Sequence, residues 1–111
     1  MNLKRGDIVL VAVKGPYTSK PRPVVVVQAS ATLELMESVT VCPITSVEID
    51  AEFVRVPVAE GQRSGLDRRS WIMVDKIVTV PRSALKVAAV GRLDTRELSD
   101  MEAALRNWLD L

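Results

Sequence analysis

Arg22-Pro23-Val24-Val25-Val26-Val27 is an arginine–proline pair opening a run of four valines. A run without polar alternation reads as a strand covered on both faces. Pro23 stands at its start, where a missing N–H is tolerated. The chain has 111 residues, enough for one domain over 1–111 with a modest core. In so small a chain a doubly covered strand implies a closed barrel or a partner subunit. A second apolar run ends in Pro43-Ile44-Thr45-Ser46. Pairing the two as an antiparallel hairpin, with its turn over roughly Ser30 to Glu37, sets Ala29 against Ser38 and Arg22 against Thr45. Opposed residues hold their Cβ atoms about 4.5–5.5 Å apart. A guanidinium would then meet a hydroxyl at one end of the sheet, which is what a phosphate site needs. The turn is long enough to permit a slip of two residues, and a surface arginine beside a strand-initiating proline explains the pair equally well.

Working outward, Asp7 to Val13 is a short strand, and Lys14 to Pro21, with Gly15, Pro16 and Pro21, is a loop by composition. The second strand spans Arg22 to Ala29. Ser38 to Cys42 is the third, which Pro43 should end. Glu52 to Val58 is a fourth, with Val54, Val56 and Val58 on one face. Ala59 to Arg69 is a polar loop. Ser70 to Val80 is a fifth, whose alternation puts Trp71, Met73 and Asp75 on one side. Pro81-Arg82-Ser83 reads as a turn before an extended piece over Val87 to Val90. The period then changes. Asp94 and Glu97 have capping-box spacing, and Leu98, Met101, Leu105, Trp108 and Leu109 form one apolar stripe on a helix of about four turns. Glu102 and Arg106 stand at the favourable i,i+4 spacing. The expectation is a mostly β, small barrel capped by a C-terminal amphipathic helix.

Composition narrows the chemistry. Hydrophobic residues make up 48% and charged residues 26%, as in a soluble globular protein. No apolar stretch approaches the ~20 residues of a membrane span, and the start of the chain lacks the pattern of a signal peptide. The single cysteine, Cys42, rules out an intrachain disulfide, fits a reducing compartment and reads as a small core residue. A cytoplasmic location is the expectation. The net charge is only +1, so any nucleic-acid site must be local. Lys4, Arg5, Lys14, Lys20 and Arg22 cluster near the start, and Arg63, Arg68 and Arg69 form a second group; solvated loops account for both groups as well.

Histidine is absent, which removes the commonest general base and the commonest metal ligand. One cysteine cannot build a zinc site, and neither a P-loop nor a dinucleotide fingerprint is present. An enzyme with this menu would be free of metal and cofactor. Cleavage of RNA by its own 2′-OH suits that menu, because the nucleophile arrives with the substrate.

The arrangement Arg5-Gly6-Asp7-Ile8-Val9, Arg22-Pro23-Val24-Val25-Val26 and Pro43-Ile44-Thr45-Ser46 resembles the MazF/PemK family of toxin endoribonucleases. The resemblance continues through Ser70-Trp71-Ile72-Met73-Val74-Asp75-Lys76-Ile77, Gly91-Arg92-Leu93 and the terminal helix. It implies an SH3-like barrel of about five to seven antiparallel strands, a homodimer and a cognate antitoxin. It also implies metal-independent, sequence-selective cleavage of single-stranded RNA, leaving a 2′,3′-cyclic phosphate and a 5′-hydroxyl. The family's arginine before proline maps onto Arg22, its phosphate-holding threonine onto Thr45, and the aspartate proposed as base in some members onto Asp75. Many members carry an acid in the loop before the arginine; here Lys14-Gly15-Pro16-Tyr17-Thr18-Ser19-Lys20-Pro21 has none. Asp75 therefore ranks above Tyr17 as base, since a phenol with a pKa near 10 needs strong tuning. Lys14, Tyr17, Lys20 and Ser46 are candidate substrate contacts, though the lysines read equally as solvated loop residues. Trp71 reads as core in preference to a base-stacking platform.

Two other functions compete. A CcdB-like gyrase poison shares this fold and acts through a C-terminal Trp-Gly-Ile; here the chain ends Asn107-Trp108-Leu109-Asp110-Leu111, with Trp108 on the apolar stripe. A non-catalytic RNA-binding barrel is the third reading, kept open by the missing loop acid.

Overall fold

The computed structural model describes residues 2–12, 21–86 and 88–111. Seven strands and one helix follow in the order β1 Asp7–Val11, β2 Arg22–Val26, β3 Ser38–Thr45, β4 Arg55–Val58, β5 Ser70–Met73, β6 Val78–Pro81, β7 Gly91–Arg92 and α1 Thr95–Leu109. All strand pairs are antiparallel, ordered β4-β5-β3-β2-β1-β7, with β6 also on β3. The sheet curls until Leu85 bridges back to Val11. Among the described residues no helix is long and apolar enough to cross a membrane.

The valine run explains the curl. Val24 and Val26 pack with Leu3, Val9, Val11, Leu33, Val39, Val41 and Leu85. Val25 and Val27 face the opposite way, with Ile8, Cys42, Ile44, Val56, Val58, Ile72 and the helix residues Met101 and Ala104. One chain covers both faces: the helix on one side, and the turns carrying Leu33 and Leu85 on the other. The register is the one read from the sequence, with Val24 opposite Pro43 and Val26 opposite Val41. It does not run on to Ala29 and Ser38. Val27 and Gln28 N–H both donate to Thr40 O, at 3.1 and 3.3 Å, so two residues oppose one in a bulge.

Several boundaries differ from expectation. Pro43 does not end β3, which continues to Thr45. It falls where β3 changes neighbours, from β6 through Val41 to β5 from Ile44, so its missing N–H lies between two ladders. β4 begins at Arg55 instead of Glu52, and the single strand expected over Ser70 to Val80 is broken by a 3₁₀ turn at Val74–Lys76. The last extended piece among the described residues is Gly91–Arg92; of the piece expected over Val87 to Val90, Val87 lies outside the described residues and 88–90 are not a strand. Gly91 is required there, because a Cβ would stand 2.2 Å from the backbone of Ser64.

The helix begins as its spacing indicates. Asp94 accepts from Glu97 N and Glu97 reaches back to Asp94 N, a complete capping box. Its far end departs from the stripe, for Trp108 and Leu109 are each about half exposed (48% and 49%). Glu102 does not serve Arg106; it pairs across to Arg5 at 3.0 Å.

Cys42 is fully buried in the core it shares with the helix, and burial, reinforced by the negative charge of Asp75, pushes its thiol up to about 12. The thiol should therefore ignore Ellman's reagent in the folded protein at pH 8 and react once per chain in denaturant. Because the folded value lies above the ordinary thiol value near 9, the stability held below pH 9 is lost as pH rises toward 12. Urea titrations across that range should show a steeper decline for the parent than for Cys42→Val. Gly91→Ala should cost about 2 kcal/mol through overpacking and lower Tm by roughly 8–16 °C, read by calorimetry.

Candidate active site

Antiparallel pairing places one rank of residues across five strands. Val11 opposes Arg22, Thr45 opposes Trp71, and Trp71 opposes Pro57. The β2–β3 pairs end at Val24–Pro43; that register carried two residues further would set Arg22 against Thr45 and join the two halves. Opposed residues point to one face, and this is the face of the core around Val24 and Val26. Beyond Val24 and Val41 that core ends, and the same parity leaves Arg22 and Pro57 exposed and Thr45 and Trp71 half-buried, with Arg55 on the same face but its side chain only 10% exposed.

Arg22 is the first residue of β2 and is exposed. Thr45 is the last of β3 and half-buried, and its Oγ1 accepts the N–H of Val47 at 3.1 Å. Ser46 follows it, exposed. Asp75 lies in the 3₁₀ turn after β5. Its neighbours are not Arg82, which donates to the carbonyls of Leu33 and Met36, but Arg55 and, at 3.7 Å, Lys76. Arg22 and Thr45 thus end neighbouring strands two residues beyond their last pair, and Asp75 lies in the turn after β5. Lys14, Tyr17 and Lys20 fall outside the described residues.

Trp71 is not core. It is half-buried and, with Arg55, Pro57, Arg69 and the loop acids Glu48, Asp50 and Glu52, lines a pocket of about 550 Å³. The Arg69 guanidinium carbon stands 5.7 Å from the indole centroid, within cation–π range. Arg55 was not singled out in the sequence. Its signal was there: if Val54, Val56 and Val58 take the core face, Arg55 and Pro57 must take the other.

This fold is shared by solved structures. The chain superposes on the Mycobacterium tuberculosis toxin MazF-mt6 with a TM-score of 0.79 and 26% identity, over 95% of this chain and 97% of that one. A MazE–MazF complex from Deinococcus radiodurans gives 0.80 with 17% identity, covering 100% and 99%. A curated sequence named probable endoribonuclease MazF, from Mycolicibacterium smegmatis, is 38% identical over 109 residues, 98% of each chain. Residues 4–109 match the model of the PemK-like, MazF-like toxins of type II toxin–antitoxin systems. The chain belongs to that family.

Not every arginine of this MazF-like toxin serves the open face. Arg63, one of the second basic group, grips the buried Glu97 through Nη1 at 2.7 Å and Nη2 at 3.3 Å and donates to Arg92 O at 2.8 Å. Glu97 also accepts from Ala59 N at 3.0 Å. The loop after β4 is thereby tied to the start of α1, and Arg63 is structural.

The Arg55–Asp75 pair is also mostly withdrawn from water, with side chains 10% and 18% exposed. Removing one partner strands the other charge. Arg55→Met should lose about 3 kcal/mol in urea unfolding, and Arg55→Met/Asp75→Leu should recover most of it.

Proposed function

We propose that the chain is the toxin of a type II pair and that it cleaves single-stranded RNA without a metal. The RNA 2′-OH attacks the adjacent phosphorus, the P–O5′ bond breaks, and a 2′,3′-cyclic phosphate and a 5′-hydroxyl result. The 2′-OH proton passes to a base while the departing 5′-oxygen gains one. The observation that supports this reading is the β2–β3 register, which continued two residues past its last pair, Val24–Pro43, would set Arg22 against Thr45 at an open sheet end. The Val47 N–H occupies a lone pair of Thr45 Oγ1, so the hydroxyl hydrogen stays free for a phosphate oxygen. Arg22 offers a fork of donors to the same group. Each is worth roughly 2.7–4 kcal/mol by analogy with oxyanion donors. Ser46, beside Thr45, is a further proposed substrate contact, as are Lys14, Tyr17 and Lys20. For the base the sequence offers Asp75 and Tyr17.

A cognate antitoxin and a second copy of the chain are the proposed protein partners. Val78, Trp108, Leu109 and Leu111 are exposed, and apolar surface of this kind supports protein contacts. Exposure of Trp108 also removes one objection to the gyrase-poison reading, since the residue is accessible.

Incubation with a long, structure-poor RNA in excess EDTA tests the ribonuclease. Cuts at a recurring short sequence with cyclic-phosphate ends are expected, slowed at least 100-fold in Arg22→Ala and Thr45→Val. No cutting by folded protein, with DNA breaks stabilised in the presence of gyrase, would select the poison.

A further inference from the structure

Asp75 meets cations on both oxygens, Arg55 at Oδ1 and Lys76 at Oδ2, and its charge reaches the Cys42 thiol from beneath. It also stands four residues beyond Trp71, the partner of Thr45. At about 3.3 Å per strand residue and 2.0 Å in the 3₁₀ turn, that is roughly 10 Å along the sheet from the Thr45 rank. A general base must come within hydrogen-bond reach of the proton it removes. Neither its partners nor its place suits Asp75 to that task.

They suit it to holding Arg55. That side chain is nine-tenths buried, its Nη1 donates to Asp75 and, at 3.1 Å, to Val54 O, and its buried Nε has no hydrogen-bond partner among the described residues. A largely desolvated guanidinium in a pocket wall is a strong donor for any acceptor that enters. The pocket also supplies the Trp71 indole and Pro57 as apolar surfaces, with carboxylates from Glu48, Asp50 and Glu52 at its edge. Those carboxylates repel a phosphate and accept from amines. A nucleobase carrying both a carbonyl and an exocyclic amine, as guanine and cytosine do and adenine and uracil do not, satisfies the arginine, the acids and the indole together.

We propose that Arg55 reads a guanine or cytosine flanking the cleaved bond, stacked on Trp71, and that Asp75 is its positioning partner and not the general base. The assignment rests on the ribonuclease reading.

Randomised single-stranded RNA with mapped ends, and a pH–rate profile on one short substrate, test it with Asp75→Asn, Arg55→Gln and Arg55→Lys, each checked by thermal melting. Lysine keeps a charge for Asp75 but lacks the planar fork, so it guards against loss of fold in the glutamine variant. Asp75→Asn, which still accepts from Arg55, should keep kcat within about tenfold of the parent with the acidic limb of the profile in place. Both Arg55 variants should lose about tenfold of the parent's preference at one flanking position, with the other positions unchanged. A fall of 100-fold or more in kcat for Asp75→Asn, with the acidic limb gone, would make Asp75 the base and overturn the positioning role. An unchanged cleavage motif in folded Arg55→Lys would overturn the base-reading role. A parent that binds RNA but never cuts it would sink the ribonuclease instead. Trp71 fluorescence in a Trp108→Phe background, titrated with 2′-O-methyl RNA pools, then isolates the pocket. Tenfold weaker quenching in Arg55→Lys sustains base reading there, and equal quenching ends it.

Discussion

A strand with no solvent face leaves a chain very little freedom, and β2 is such a strand. Val24 and Val26 fill one core while Val25 and Val27 fill the other. A slip of one residue against β3 would exchange the two sets, and each side chain would meet a cavity shaped for its neighbour. Burial on both faces therefore fixes the register that the long turn cannot fix. The functional reading depends on that register, because continuing it two residues beyond Val24 and Pro43 leads to Arg22 and Thr45. Core packing thus positions two polar residues that take no part in it.

β3 extends the consequence across the molecule. It pairs with β6 through Val41 and with β5 from Ile44, with Pro43 between the two ladders. A residue lacking an N–H weakens neither ladder at that point. The strand can turn from the closed half of the barrel toward β4 and β5, and residues whose parity is buried at Val39 and Val41 come into the open at Thr45 and Trp71. The open face that carries Arg22 and Thr45 is the continuation of a core face past the end of its cover.

Patterns confined to one element were legible in the sequence: the doubly apolar β2, the alternation in β4, the Asp94–Glu97 cap. The β2–β3 register was legible too, since two apolar runs and a turn of bounded length leave few pairings. Features set by three-dimensional competition were not. Glu102 has a well-spaced helical partner in Arg106, yet the Arg5 guanidinium lies across the groove with its Nε already on Val27 O, and takes the carboxylate. Ser70 to Val80 reads as one strand because nothing in its apolar content announces the turn at Val74–Lys76. That turn withdraws Asp75 from the rank of Thr45 and sets it against Arg55. Trp71 was misread for a related reason: a tryptophan on an alternating strand is core only when the sheet face it occupies is covered.

The charge balance shapes how such a surface could hold RNA. A chain with net charge +1 exerts little long-range pull on a polyanion. The local arrangement is mixed as well: the Arg55 charge is met by Asp75, Arg63 by Glu97, and three acids rim the pocket beside Arg69. Affinity built from phosphate neutralisation alone would be weak here and would discriminate nothing. Stacking on an indole, with donors and acceptors fixed around it, holds a base with little help from net charge and selects among sequences. On the proposed reading, a chain of this composition chooses its site by the base it admits, and Arg22 and Thr45 engage the phosphate that the chosen base brings to them.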